Sequence, residues 1–62
     1  MDPFEATMIA EGAAGFEDAS EEQKNEAWQY LIDSGLAWRL QGWFGRTAAQ
    51  LIEEGTCKPF PR

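Results

Sequence analysis

"SEEQKNEAWQYLIDSG", residues 20–35, decides how this chain folds. Ser20 is followed three positions later by Gln23, the spacing of a capping box, and Glu21 and Glu22 put negative charge on the first turn of a helix. Ala27, Trp28, Leu31 and Ile32 then recur at steps of one and three, which lines them up as one apolar stripe on an α-helix. Gly35 supplies the left-handed residue that commonly follows a helix end. The stretch predicts a helix over about 21–34 whose stripe forms the centre of a core.

Toward the N-terminus, "MDPFEATMIAEG" predicts a second helix over about 3–11. Asp2 can cap it, Pro3 suits its first position, Glu5 sits where a capping box takes an acid, and Gly12 is a natural stop. Phe4, Met8 and Ile9 are expected on its inner face. Residues 12–19, "GAAGFEDA", hold two glycines, each worth about 1 kcal/mol against helix relative to alanine. They read as a loop anchored by Phe16.

Toward the C-terminus, "LAWRLQ" is ambiguous. Leu36, Trp38 and Leu40 alternate as in a strand, whereas Leu36, Leu40 and Phe44 fit a helix. With no second strand to pair with, short helical turns over about 36–41 are expected. A last helix follows over about 43–54, its stripe made of Phe44, Thr47, Ala48, Leu51 and Ile52, with Gly55 as the stop. The tail 55–62 should be extended, because Pro59 and Pro61 forbid a helix. "LIDSG" and "LIEEG" echo each other 20 positions apart; shared helix-stop grammar explains the echo, and an internal duplication is the alternative. The expected architecture is all-α: a single small domain, 1–62, built as a bundle of three to four short helices with an extended, proline-containing C-terminal tail.

A chain of 62 residues lies near the lower limit for folding alone, since such a domain buries only roughly 60% of the surface its unfolded chain exposes. Cys57 is the only cysteine and there is no histidine, so neither an internal disulfide nor a zinc site can supplement the core. No metal or cofactor is expected. Eight aromatics are more than so small a core covers, and some should reach an interface. Self-association or a protein partner is therefore the expected source of added stability.

The net charge of -6 is unevenly spread. Residues 1–34 hold nine acids against Lys24 alone, a net -8, while residues 35–62 hold Arg39, Arg46, Lys58 and Arg62 against Glu53 and Glu54, a net +2. An acidic first half repels phosphate, so nucleic acid is an unlikely main ligand. It favours a basic partner, head-to-tail pairing of unlike halves, or simple solvation of an aromatic-rich chain. No secretory leader or membrane span is visible, and with one free thiol a cytoplasmic location is expected.

"RLQGWFGR", residues 39–46, sets two bulky rings between Gly42 and Gly45 with an arginine at either end. Gly45, Ala48 and Ala49 leave a shallow helix face against which Trp28 or Trp38 could pack. Phe44 belongs to the core stripe, which leaves Trp43 as the exposed ring. The candidate interface is Trp43, Arg39, Arg46, Trp38 and Phe60, and the helix-stop glycines are Gly12, Gly35 and Gly55. A Gly-x-x-Gly loop flanked by arginines is also similar to the backbone clamp of KH domains, but that fold needs a sheet this chain does not encode. Stacking of Trp43 on single-stranded nucleic acid, with Arg39 and Arg46 on the backbone, is the remaining alternative.

The segment from Ala27 to Gly55, "AWQYLIDSGLAWRLQGWFGRTAAQLIEEG", resembles a group of small proteins encoded by tailed bacteriophages for which no activity is established. The resemblance rests on "YLIDSGLAWRLQGWFGRTA" and the later "LIEEG" and covers about half the chain. It implies a phage or phage-derived origin, a small helical fold and action inside an infected bacterium, and it brings no catalytic residues.

Catalysis is not expected. The chain has no histidine to act near neutral pH, and capping accounts for Glu21 and Glu22, with solvation for Glu26. Cys57 falls after a helix C-terminus, the wrong end to lower its pKa. The expected function is a non-enzymatic interaction module, self-associating, with a role such as acidic inhibitor of a host or defence protein. The alternatives are an accessory subunit of phage replication or of the virion, and a weak single-strand binder.

Overall fold

The computed structural model describes residues 1–12, 15, 18–40 and 42–59 of the chain. They are all-helical and contain no strand: α1 spans Pro3–Glu11, α2 Glu21–Asp33 and α3 Gly42–Glu53, with a 3₁₀ turn at Leu36–Trp38 between α2 and α3. None of these helices is long and apolar enough to cross a membrane. The expected loop anchor Phe16, and Phe60, Pro61 and Arg62 of the tail, lie outside the described residues.

α1 and α2 start by local capping chemistry, and a glycine with positive φ follows each of the three helices. The Asp2 carboxylate accepts the Glu5 backbone N–H at 2.7 Å, and Pro3 occupies the first turn, where no N–H is needed. At α2 the capping box closes in both directions. Gln23 N–H donates to Ser20 Oγ at 3.1 Å, and Ser20 N–H donates to Gln23 Oε1 at 2.9 Å. The helix ends at Asp33, and Gly35 turns the chain with φ 81°. Its N–H donates to Ile32 O at 3.1 Å, consuming one of the helix's orphan carbonyls. Gly12 and Gly55 follow α1 and α3 with φ 70° and 85°.

The buried core is Ala6, Ile9, Ala27, Trp28, Leu31, Ile32, Ala37, Phe44, Ala48 and Cys57. The stripe of α2 runs through its centre. α1 packs on α2 from one side; the 3₁₀ turn packs on α2 from its own end and bears α3. Four of the ten core residues are alanine, so the elements approach closely but bury little apolar area.

Two expectations are corrected here. The inner face of α1 is Ala6 and Ile9, and Phe4 is 73% exposed. Phe4 sits about 200° round the helix from Ala6, so the close approach that seals Ala6 must turn Phe4 outward. Within "LAWRLQ", Leu36–Trp38 form a 3₁₀ turn, with Arg39 N–H on Leu36 O at 2.9 Å and Ala37 as its buried residue. α3 begins at Gly42, one residue earlier than expected, and of its stripe only Phe44 and Ala48 are fully buried; Thr47, Leu51 and Ile52 are half-buried.

Residues 56–59 carry no helix. Thr56 and Cys57 donate their backbone N–H groups to Leu51 O at 2.9 and 3.1 Å. This turns the chain back under α2.

Candidate protein-interaction surface

Trp38 leaves the 3₁₀ turn with 51% of its surface exposed and lies over Gly45 of α3. A Cβ at Gly45 would stand 3.5 Å from Trp38 Cε3 and 3.7 Å from Ala37 O. The indole and the preceding backbone thus lie one methyl's contact distance above the helix surface. Of the two tryptophans expected to fill the shallow face of α3, it is Trp38 that covers Gly45.

Trp43 has two roles. It is 36% exposed, yet its ring stacks on Phe44 with centroids 4.1 Å apart and meets Trp28 edge-on at 6.2 Å. Trp28 and Phe44 are themselves 5.7 Å apart, so one face of Trp43 seals a three-ring cluster. Its remaining surface meets solvent.

Arg39 and Arg46 are both exposed. Arg46 points outward on α3 and folds back along it, its Nη1 3.4 Å from where a Cβ on Gly42 would be. Helical geometry sets Trp43 about 60° to one side of Arg46, and Gly45 with Trp38 above it about 100° to the other. Trp38, Arg46 and Trp43 therefore form a strip across the first two turns of α3, with Arg39 beside Trp38. No acid occurs between Ser34 and Ile52, so the strip is locally positive on an acidic chain. Glu53 and Glu54 lie two turns further along. Phe60, the fifth candidate, lies outside the described residues.

Cys57 is 3% exposed, with its Sγ 4.0 Å from Asn25 O. Burial, and secondarily the Asp33 carboxylate, push its thiol above the ordinary value of 9.0. It is a protonated thiol at neutral pH, not a thiolate nucleophile.

The feature that holds the C-terminal segment has no local sequence signal. The Gln29 side chain pairs with both polar backbone groups of Lys58: Nε2 donates to Lys58 O at 2.8 Å, and Lys58 N–H donates to Gln29 Oε1 at 2.8 Å. Gln29 Nε2 also donates to Asp33 Oδ1 at 3.0 Å, which fixes the amide's orientation. No motif could have revealed this pairing, because its partners are 29 positions apart. An open cleft of about 410 Å³ is lined by Glu5, Ile9, Gly15, Asp18, Ala19 and Gln23.

The fold and the strip define a small all-helical chain that keeps tryptophan and arginine at its surface. It belongs to the family described as a domain of unknown function, DUF7417, whose model matches residues 6–60. No curated protein and no solved structure matches the chain.

Proposed function

We propose that this chain is a non-enzymatic interaction module, a compact bundle with an extended tail that binds another protein through Trp38, Arg39, Trp43 and Arg46. The observation that carries this is the exposure of Trp38, 51% open to solvent while held in place over Gly45. A large aromatic side chain fixed at a surface loses little further freedom when a partner covers it. Tryptophan and arginine are also the residues most enriched where binding energy concentrates. The resemblance of residues 27–55 to small phage proteins supports a phage origin and action on a host or phage protein in the bacterial cytoplasm. The acidic first half suits an inhibitor that covers a basic site.

A second reading has one observation in its favour: Arg39 and Arg46 flank the two tryptophans as cations flank a base-stacking platform. The chain's net charge of -6 opposes it. Affinity capture from bacterial lysate, with and without nuclease, separates the two. The module reading expects one protein retained after nuclease treatment by the wild type and lost with Trp38→Ala at unchanged helical content. Capture that nuclease abolishes sinks it in favour of the single-strand reading. Trp43→Ala is the poorer probe, because that ring also seals the cluster with Phe44 and Trp28.

A further inference from the structure

The outer face of α1 is a second exposed apolar surface among the described residues. Phe4 is 73% and Met1 49% exposed, and Met8 beside them is half-buried. Asp2, Glu5 and Glu11 surround them and are all exposed. The first 22 residues carry seven acids and no base. This face is thus apolar with an acidic rim, whereas the strip on α3 is aromatic with arginines and is drawn from a stretch, residues 35–51, that contains no acid. Within one copy they do not cover each other, as the exposure of Phe4 and Trp38 shows.

We propose that copies of this chain associate head to tail, the α1 face around Phe4 of one copy seated on the Trp38–Arg46–Trp43 strip of the next. The proposal rests on reading the strip as a protein interface. Charge selects the pairing. Two α1 faces would set Asp2, Glu5 and Glu11 against their own kind, and two α3 strips would oppose arginines; only α1 on α3 brings opposite signs together around apolar anchors. Such a contact uses two different patches, so each copy in a pair leaves one patch free. It therefore propagates beyond a dimer unless a ring closes. Arg39 and Arg46 would face Glu5 and Glu11 across a solvated rim, where added salt screens the attraction.

The test is complementation, read by sedimentation velocity with circular dichroism to confirm folding. Wild type should form species larger than a dimer as concentration rises, and fewer of them as salt is added. Phe4→Ala, which loses one patch, and Trp38→Ala, which loses the other, should each be monomeric alone. Mixed in equal amounts they should form a one-to-one dimer and go no further. Arg39→Glu combined with Arg46→Glu serves as a second strip variant that alters only exposed side chains, and it should behave like Trp38→Ala in the mixture. A wild type that stays monomeric at millimolar concentration overturns the proposal, as does a Phe4→Ala protein that associates like wild type, or a mixture that yields no dimer. A monomeric wild type that still retains a nuclease-resistant protein from lysate overturns head-to-tail pairing alone and leaves the module reading standing.

Discussion

Exchanging Gly35 for the two mirror-image alanines isolates a backbone effect from every contact. Gly35 has φ 81° and ψ -2°, and a Cβ built there meets nothing within 4 Å. An L-alanine would be strained only by its handedness, at roughly 1–2 kcal/mol, offset by about 0.4–1 kcal/mol from a stiffer unfolded chain. Gly35→Ala should therefore lose about 1 kcal/mol, and Gly35→Val at least as much, because its branched Cβ suits the left-handed region worse. D-alanine, introduced by chemical synthesis, prefers this region and keeps the unfolded-state benefit, so it should gain about 0.4–1 kcal/mol. The unfolded-state benefit is common to both, so the two alanine proteins should differ by the handedness strain alone, about 1–2 kcal/mol, which in a chain of this size is a Tm gap of roughly 4–16 °C. Thermal melts followed by far-UV circular dichroism read it directly. Equal melting temperatures for the two enantiomers would refute a left-handed Gly35 as the device that ends α2.

Three further changes test the packing. Gly45→Ala should stabilise by about 1 kcal/mol in urea titrations, since the new methyl meets Trp38 at ordinary contact distance and alanine favours the helix; Gly45→Val should fall below Gly45→Ala as its γ-carbons press on the indole. Gln29→Ala should lose about 1 kcal/mol, because the Lys58 backbone groups can rehydrate, and should speed labelling of Cys57 by a thiol reagent under native conditions. For Cys57 the raised folded-state pKa means the unfolded state loses its proton first as pH climbs. Its contribution is complete below the ordinary value of 9.0 and is lost as pH rises through the folded value. Cys57→Ala should flatten that alkaline fall in stability, and an unchanged slope would assign the fall to other groups.

The legible parts of the fold are those written in consecutive residues. The cap, stripe and stop of α2 all lie within 20–35, and nothing distant competes with them. The ends of α1 were readable for the same reason, from Asp2, Pro3 and Gly12. Its inward face was not. Hydrophobicity favours Phe4, but the spacing between α1 and α2 favours Ala6, and only the packed pair of helices decides between them. The strip was legible in composition and incomplete in geometry. Gly45 marked the shallow face without deciding between Trp28 and Trp38 as the side chain over it. Trp43 is 36% exposed, and its stacking on Phe44 depends on the rotamers of two adjacent rings, which no sequence pattern encodes. The Gln29–Lys58 pairing carries no local signature at all.

That pairing also bears on the order in which the chain assembles. α1 meets α2, α2 meets the 3₁₀ turn, and the turn meets α3, so most of the fold joins elements adjacent along the chain, a topology of low contact order that folds fast. The closure between positions 29 and 58 has the opposite character: it gains nothing until the helices it spans are in place. Its two hydrogen bonds are therefore expected to form after the folding transition state and to break ahead of it on the way out. Loosening them shortens the lifetime of the folded protein while leaving its rate of formation nearly untouched. A glutamine on the second helix thus acts chiefly as a brake on unfolding.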